Sequence, residues 1–400
     1  MAHFVVIGAG QAGASLVAKL RNLGFEGKIS LIGAEDAPPY QRPPLSKKYL
    51  LGDMPLDRMY LRPVSFYENQ DIDLRLGQPV TAIDAEKRLI TVGSEEIPYD
   101  KLALTTGSTP IRLPAKIGGD LDGVHTVRTL ADVDGMKAAF DAGGHMLIVG
   151  GGYIGLEAAA VAAQRGLKVT LVELADRILQ RVASPATSDY FRDLHTGHGV
   201  TILEGTGLER LNGDGAVSQA VLSDGSVLDI DVAVVGVGIR PDVVLAGMAG
   251  LAQDNGIATD SGAQTSDPNI WAAGDCASFP YQDTRIRLES VPNAIDQAEI
   301  AAANMMGGGA EYVAKPWFWS DQYDVKLQIA GLNTGYDQVV VRDGGASRSH
   351  WYYKDGALLA VDAMNDPRAY MIGKRVIEAG KSIPPAAAGD ADADLKQYMK

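Results

Sequence analysis

Cysteine occurs once in the 400-residue chain, at Cys276. A single thiol excludes an intrachain disulfide framework, a cysteine-rich metal site and a dithiol relay within one chain. Long apolar runs are missing as well: no stretch reaches the roughly 18 residues that span a bilayer. Basic residues are scarce beside acidic ones, 36 against 50, for a formal net charge of −14. That balance argues against nucleic-acid binding, which needs a basic face to displace counterions from phosphates. The N-terminus shows no basic region leading into an apolar signal core and enters a strand-like run, Phe4-Val5-Val6-Ile7, almost at once. A cytoplasmic protein is the expectation. The six histidines show no metal-ligand spacing. His195 and His198 stand three apart, with a glycine at 197 and no cysteine nearby, and read as a surface pair.

Glycine, by contrast, is abundant, with 46 residues. The run Phe4 to Ile7 stops at Gly8-Ala9-Gly10-Gln11-Ala12-Gly13, which leads into a helical stretch over Ala14 to Asn22 and a second strand, Ile29 to Ile32, followed by Glu35. Strand, glycine turn, helix and strand in about 30 residues form a βαβ unit with parallel strands. The pattern returns at Met146 to Val149, Gly150-Gly151-Gly152-Tyr153-Ile154-Gly155, a helix over Leu156 to Arg165, and Val169 to Val172 before Glu173. Short strands and turns follow each unit, closing on Thr105-Thr106-Gly107 in the first copy and Gly236-Val237-Gly238 in the second. One architecture thus recurs in tandem. A third, β-rich region begins near Trp317 and closes with a helix over Pro367 to Ala379. The Pro/Ala/Asp-rich tail from Pro384 to Asp394 reads as mobile.

A dinucleotide pyrophosphate carries negative charge that a helix N-terminus accommodates through unpaired N–H groups and its dipole. Glycine serves there for the tight turn, for close approach to the phosphates, and for helix–strand packing. Gly8, Gly10 and Gly13 fit those positions, as do Gly150, Gly152 and Gly155. Glu35 and Glu173 end the second strands, where a carboxylate accepts hydrogen bonds from ribose hydroxyls. One such hexad is weak evidence, since glycine turns are common. Two at matching positions point to two dinucleotides and electron transfer between them, most often FAD and a nicotinamide.

With these motifs the sequence resembles the FAD-dependent pyridine-nucleotide oxidoreductases, in particular the bacterial ferredoxin reductases that serve cytochrome P450 and Rieske oxygenases. The likeness covers essentially the whole chain and adds Tyr40-Gln41-Arg42-Pro43-Pro44-Leu45-Ser46-Lys47, Ala273-Gly274-Asp275, Glu289-Ser290-Val291-Pro292-Asn293-Ala294 and Phe318-Trp319-Ser320-Asp321-Gln322-Tyr323-Asp324. It implies an α/β fold of two tandem Rossmann-like dinucleotide-binding domains plus a C-terminal α+β domain. The FAD-binding domain would be discontinuous, residues 1–112 and 245–317, with the NAD-binding domain at 113–244 and the C-terminal domain at 318–400. The resemblance gives Lys47 and Glu157 the catalytic roles, as a lysine near flavin N5 and its partner carboxylate. It gives Asp275 the ribityl chain of a non-covalent FAD. Ala12, Arg42, Val80, Thr106, Gly107, Arg128, Val291 and Trp319 match further FAD contacts, while Tyr153, Ile154 and Gly238 match contacts to NAD(H). Ala34 departs from relatives that carry an acidic residue there, which leaves Glu35 alone for the adenosine ribose.

Disulfide reductases of this superfamily carry a cysteine pair facing the flavin, and its peroxidases and oxidases a single cysteine in the first domain. Met1 to Gly155 contains none, and Cys276 reads as a small buried residue. The expectation is an NADH-dependent reductase that passes electrons through FAD to a [2Fe-2S] ferredoxin supplying a cytochrome P450 or Rieske oxygenase. The alternatives are a redox-sensing NAD-binding interaction protein and an NADH oxidase. Candidate ferredoxin-docking bases are Arg285, Arg287, Lys374, Arg375 and Lys381, with no role for a membrane or nucleic acid. Arg177, four residues after Glu173, is a candidate to soften a preference for NADH over NADPH.

Overall fold

Val5, Val6 and Ile7 are buried because their strand, His3–Ile7, sits mid-sheet between two parallel neighbours. A computed structural model, describing residues 1–399, places Lys28–Ile32 and then Ile72–Arg75 on one side of it. Lys101–Leu104 and then Ile270–Ala272 lie on the other. A parallel strand covered on both faces needs a continuous apolar run rather than alternation, and Phe4 to Ile7, Leu102 to Leu104 and Ile270 to Ala272 supply one, whereas the edge strand Ile72–Arg75 alternates.

The second copy repeats the order. His145–Val149 is central, with Lys168–Glu173 and Thr201–Glu204 on one side and Val232–Val235 then Val124–His125 on the other, all parallel. Four strands of each sheet correspond in chain order. The fifth comes from far downstream in the first sheet and from upstream in the second. Each copy also carries a three-stranded antiparallel meander, Val80–Asp84, Leu89–Val92 and Glu95–Pro98 in one, and Leu208–Asp214, Ala216–Leu222 and Val227–Asp229 in the other.

The glycine-loop helices span Gln11–Asn22 and Tyr153–Gln164, so both begin inside the glycine hexads rather than after them. Gly13 and Gly155 are helical residues that bring the first turn against the preceding loop. The helix Gln11–Asn22 packs on Val291–Met305 through an alanine-rich contact that includes Ala12, Ala294, Ala298 and Ala301, all buried.

The C-terminal region folds as a five-stranded antiparallel sheet ordered Trp317–Gln322, Val325–Gly331, Ala357–Met364, Arg348–Lys354, Gln338–Asp343. The helix Pro367–Glu378, capped by the Asp366 carboxylate on the Ala369 N–H (2.9 Å), buries Tyr370, Ile372 and Val376 against it. The tail after it is held down, against the expectation of mobility. Ile383, Ala388 and Leu395 enter the same core, and Arg342 donates to the carbonyls of Ala391 (2.9 Å) and Ala393 (3.0 Å).

By internal contacts the chain divides into two units. The first comprises Met1–Gln41, Leu56–Thr109 and Ile239–Pro316; the second comprises Arg42–Pro55, Pro110–Gly238 and the chain from Trp317 onward. Among the described residues no helix is long and apolar enough to cross a membrane.

Candidate active site

In the first unit the three glycines of the loop are not equivalent. A Cβ on Gly8, whose φ is +111°, would stand 2.2 Å from the Thr105 carbonyl oxygen, and one on Gly13 would stand 2.0 Å from the Gly8 oxygen. A Cβ on Gly10 would meet nothing within 4 Å. The loop is therefore wedged against protein at its first and third glycines and open at the second. Gly10 is also the N-cap of the helix and offers no side-chain cap, so the first-turn N–H groups lack the partner that Ser, Thr or Asp supplies. An open concavity of backbone donors at a helix N-terminus fits a pyrophosphate.

Residues distant in sequence converge on this loop. A Cβ on Gly274 would lie 3.1 Å from Ala12 Cβ, which puts Ala273-Gly274-Asp275 beside the start of the first helix. The Asp275 carboxylate accepts from Ser108 Oγ (2.9 Å), and the Thr106 hydroxyl donates to the Asp242 carbonyl (2.7 Å) beside Gly107. The half-buried Glu35 accepts from the Tyr40 hydroxyl at 2.6 Å, while Ala34 is exposed. Val80 opens the meander, and Val291 opens a helix whose N-cap, Ser290, accepts from the Asn293 N–H.

The second unit repeats the loop geometry. A Cβ on Gly150 would lie 2.5 Å from the Gly236 oxygen, one on Gly155 would lie 2.0 Å from the Gly150 oxygen, and one on Gly152 would meet nothing within 4 Å. Glu173 is tied into this loop, its two carboxylate oxygens accepting from the Gly151 N–H (2.6 Å) and the Ala175 N–H (2.8 Å). Arg177 is turned away, donating to Ser188 Oγ (2.5 Å) and the Ala183 carbonyl (2.9 Å). Ile154 is exposed, the Tyr153 ring packs on Phe318 at 5.0 Å, and the Gly238 carbonyl accepts from the Ile111 N–H.

Lys47 and Glu157 meet in the same unit, with Nζ 3.0 Å from Oε1 and side-chain exposures of 13% and 3%. Pro43 to Ser46 form one tight helical turn that delivers Lys47. The segment is anchored by Tyr49 donating to Asp134 (2.9 Å), Arg165 to the Leu51 carbonyl (2.8 Å) and Arg42 to the Arg128 carbonyl (2.5 Å). Glu157 lies one turn into the second glycine-loop helix and also accepts from Ser46 Oγ and Ser320 Oγ, each at 2.6 Å. Burial pushes the Glu157 carboxyl up; Lys47 and the two hydroxyls oppose it. Asp321 stands 3.9 Å from Lys47 Nζ and is half-exposed. No spacing rule links positions 46, 157 and 320, so the two serines were not legible as partners.

Other residues depart from the sequence reading. Arg287 is not a docking base: its side chain is 9% exposed, paired with Glu289 at 2.6 Å and bonded to the carbonyls of Asn255 and Asp275. Arg285 is exposed, but its guanidinium is committed to the carbonyls of Thr259 (2.7 Å) and Ser278 (2.5 Å). In the second unit Lys374 pairs with Glu378, whereas Arg375 and Lys381 are exposed. Nor do His195 and His198 form a surface pair. His195 is fully buried with Nε2 2.8 Å from Gln322 Oε1, and only His198 is exposed. Trp319 is half-buried and stacked on Trp317 (5.6 Å, 29°). Cys276 is fully buried, its thiol facing the carbonyls of Leu104 and Ala273, and burial raises its pKa.

Residues 2–298 match the family described as pyridine nucleotide-disulphide oxidoreductase, and residues 317–399 match the one described as reductase C-terminal. The chain belongs to the pyridine nucleotide-disulphide oxidoreductase family. It is similar to a ferredoxin–NAD(P)(+) reductase of Sphingomonas sp., 42% identical over 403 residues, covering 99% of this chain and 97% of the relative. It is also similar to putidaredoxin reductase of Pseudomonas putida, 39% identical over 407 residues, covering 99% and 96%. Among solved structures, a covalent putidaredoxin reductase–putidaredoxin complex aligns with a TM-score of 0.96 at 37% identity, covering 100% of this chain and 98% of that one. This oxidoreductase thus has the paired parallel-sheet folds and C-terminal antiparallel sheet of its family, whose cofactors are FAD and a nicotinamide nucleotide.

Proposed function

We propose that this oxidoreductase draws electrons from NADH through FAD and delivers them to a [2Fe-2S] ferredoxin that supplies a cytochrome P450 or a Rieske oxygenase. The observation that carries the reading is the state of the only thiol: Cys276 is fully buried and bonded to backbone carbonyls. With no thiol to relay them, electrons leave the cofactor directly. Relatives named ferredoxin–NAD(P)(+), rhodocoxin and putidaredoxin reductase, at 42%, 41% and 39% identity, support a ferredoxin as that acceptor.

When bound, FAD supplies the conversion of a two-electron nicotinamide donor into the single-electron steps an iron–sulfur protein accepts. Gly8, Gly10, Ala12 and Gly13 would hold its pyrophosphate on the open helix N-terminus, Glu35 its adenosine ribose and Asp275 its ribityl chain. Val80, Thr106, Gly107 and Val291 of the first unit would add to that site, and the resemblance gives Arg42, Arg128 and Trp319 as further FAD contacts. We take residues 1–112 and 245–317 as the FAD-binding domain, 113–244 as the NAD-binding domain and 318–400 as the C-terminal domain. Lys47 contributes a fixed positive charge that Glu157 keeps in place. A preorganised cation stabilises negative charge that develops beside it and needs no reorganisation at that moment.

On the nicotinamide side, Gly150, Gly152 and Gly155 offer the second open loop. A carboxylate at Glu173 accepts from a ribose 2′-hydroxyl and repels a 2′-phosphate. Arg177, engaged with Ser188 and Ala183, does not compensate, so NADH is preferred over NADPH. Anaerobic mixing with NADH should bleach the flavin of the purified yellow protein. Lys47→Met should slow that bleaching about tenfold or more, as loss of one electrostatic stabiliser does. An unchanged rate removes Lys47 from the mechanism.

A further inference from the structure

Glu157 stands at the end of a row of buried donors. Ser320 Oγ, which donates to Glu157 Oε1 at 2.6 Å, accepts from Gln322 Nε2 at 3.1 Å. Gln322 Oε1 faces His195 Nε2 at 2.8 Å, and His195 Nδ1 lies 3.3 Å from the Tyr323 hydroxyl. Ser320, Gln322 and His195 are all fully buried. Ser320 and Gln322 alternate along the strand Trp317–Gln322 and share one face of it, and His195 comes from the last turn of the helix Pro185–Gly197.

The bonds can run in only one sense. A neutral imidazole has one N–H and one acceptor nitrogen. With Nδ1 accepting from Tyr323, the His195 N–H is on Nε2 and donates to the Gln322 carbonyl oxygen. The Gln322 amide then donates to Ser320, and Ser320 donates to the carboxylate. Burial holds His195 neutral, with a pKa lowered to about 4. A primary amide carries no proton onward without becoming an imidic acid, so the row orients charge and does not conduct protons.

We propose that Gln322 is a positioning residue of this site: acting through Ser320, it presents a fixed donor to Glu157, which favours the ionised carboxylate that holds Lys47 in place. The inference rests on the part proposed above for Lys47 and Glu157. Without the row, the Ser320 hydroxyl is free to rotate and the carboxylate keeps only Ser46 and Lys47 against the effect of burial. The titratable and charged groups around the row are Lys47 and Asp321 at one end and His195, Tyr323 and the stacked His198 at the other.

The test is a pH titration of the FAD-loaded protein by infrared difference spectroscopy, following the carboxyl band of Glu157 assigned by its loss in Glu157→Gln. Gln322→Met keeps the volume and removes both amide partners. It should raise the midpoint for Glu157 protonation by about one pH unit, a tenfold change in proton affinity, and Ser320→Ala should raise it further. Should Gln322→Met fail to fold, Ser320→Ala decides alone. Wild-type midpoints in the folded variants overturn the inference. A shifted midpoint with unaltered NADH bleaching upholds the donor row and discards the role of Lys47, so the two failures are distinguishable.

Discussion

At the residue scale, the glycine loops separate packing from ligand contact. Alanine at Gly8 or Gly13 places a methyl far inside van der Waals contact with a backbone oxygen, at 2.2 and 2.0 Å. Either substitution should cost about 3 kcal/mol or more, by steric strain and, at Gly8, by its positive φ. Gly10→Ala meets no protein atom and should melt within about 0.5 kcal/mol of the wild type, corrected for helix propensity. It should nevertheless lose FAD on dialysis, because the methyl points into the space left for the phosphates. Thermal melts of the apoprotein and flavin content after dialysis read the two effects apart; a Gly10→Ala protein with full flavin contradicts the assignment. These roles were legible in the sequence because the hexad spacing is local. The partners of Glu157 were not, since Ser46 and Ser320, with Gln322 behind the latter, come from segments more than a hundred residues away in either direction. Arg287 was misread for a related reason. Charge alone marks a base as a surface residue, and only the fold reveals Glu289 and two carbonyls closing around it.

At the scale of elements, periodicity exposed both βαβ units, but not the edge strands Ile270–Ala272 and Val124–His125, which are too short to register as patterns. The misreading of His195 belongs here too: its helix turns that residue toward a glutamine on a strand of the C-terminal sheet, a partner that no local spacing predicts. A second buried cluster makes the junction of that helix with the sheet sensitive to pH. Asp362 accepts from the Thr187 hydroxyl (2.8 Å) and from the Tyr352 hydroxyl, and Thr187 also contacts His350 Nδ1 (2.7 Å). Burial raises the Asp362 carboxyl from 3.8 to about 6, against the two hydroxyls. Because the folded value lies above the unfolded one, its contribution to stability is full below the ordinary value and is lost as pH rises through about 6. Asp362→Asn removes that loss. Relative to wild type, the variant should gain about 3 kcal/mol in unfolding free energy between about pH 4 and pH 7, measured by urea titration at each pH. A difference independent of pH contradicts the placement of this carboxyl. Arg342→Ala should release the tail, and limited proteolysis should then cut between Pro384 and Asp394 where the wild type resists.

For the whole molecule, a net charge of −14 opposes the approach of an acidic ferredoxin. Salt screens that repulsion beyond about 8 Å, which leaves docking to local bases. With Arg287 closed in by Glu289 and the guanidinium of the exposed Arg285 held by the Thr259 and Ser278 carbonyls, Arg375 and Lys381 are the remaining exposed candidates. Reversing both charges should slow ferredoxin reduction about tenfold at low salt, as loss of electrostatic steering does. Ferricyanide reduction by NADH should be unaffected, because a small oxidant needs no docking face. The exchange Glu173→Ala should narrow the proposed preference for NADH while raising KM for both nucleotides, because the same carboxylate holds the Gly151 and Ala175 amides of the loop. The central claim is that electrons leave the flavin for a protein acceptor without a thiol intermediate. Stopped-flow mixing of the NADH-reduced protein with an oxidised [2Fe-2S] ferredoxin, and separately with aerated buffer, tests it most directly. The account predicts rapid reoxidation by ferredoxin and slow reoxidation in air, identical in wild type and Cys276→Ala. Fast reoxidation in air that ferredoxin does not accelerate would contradict it.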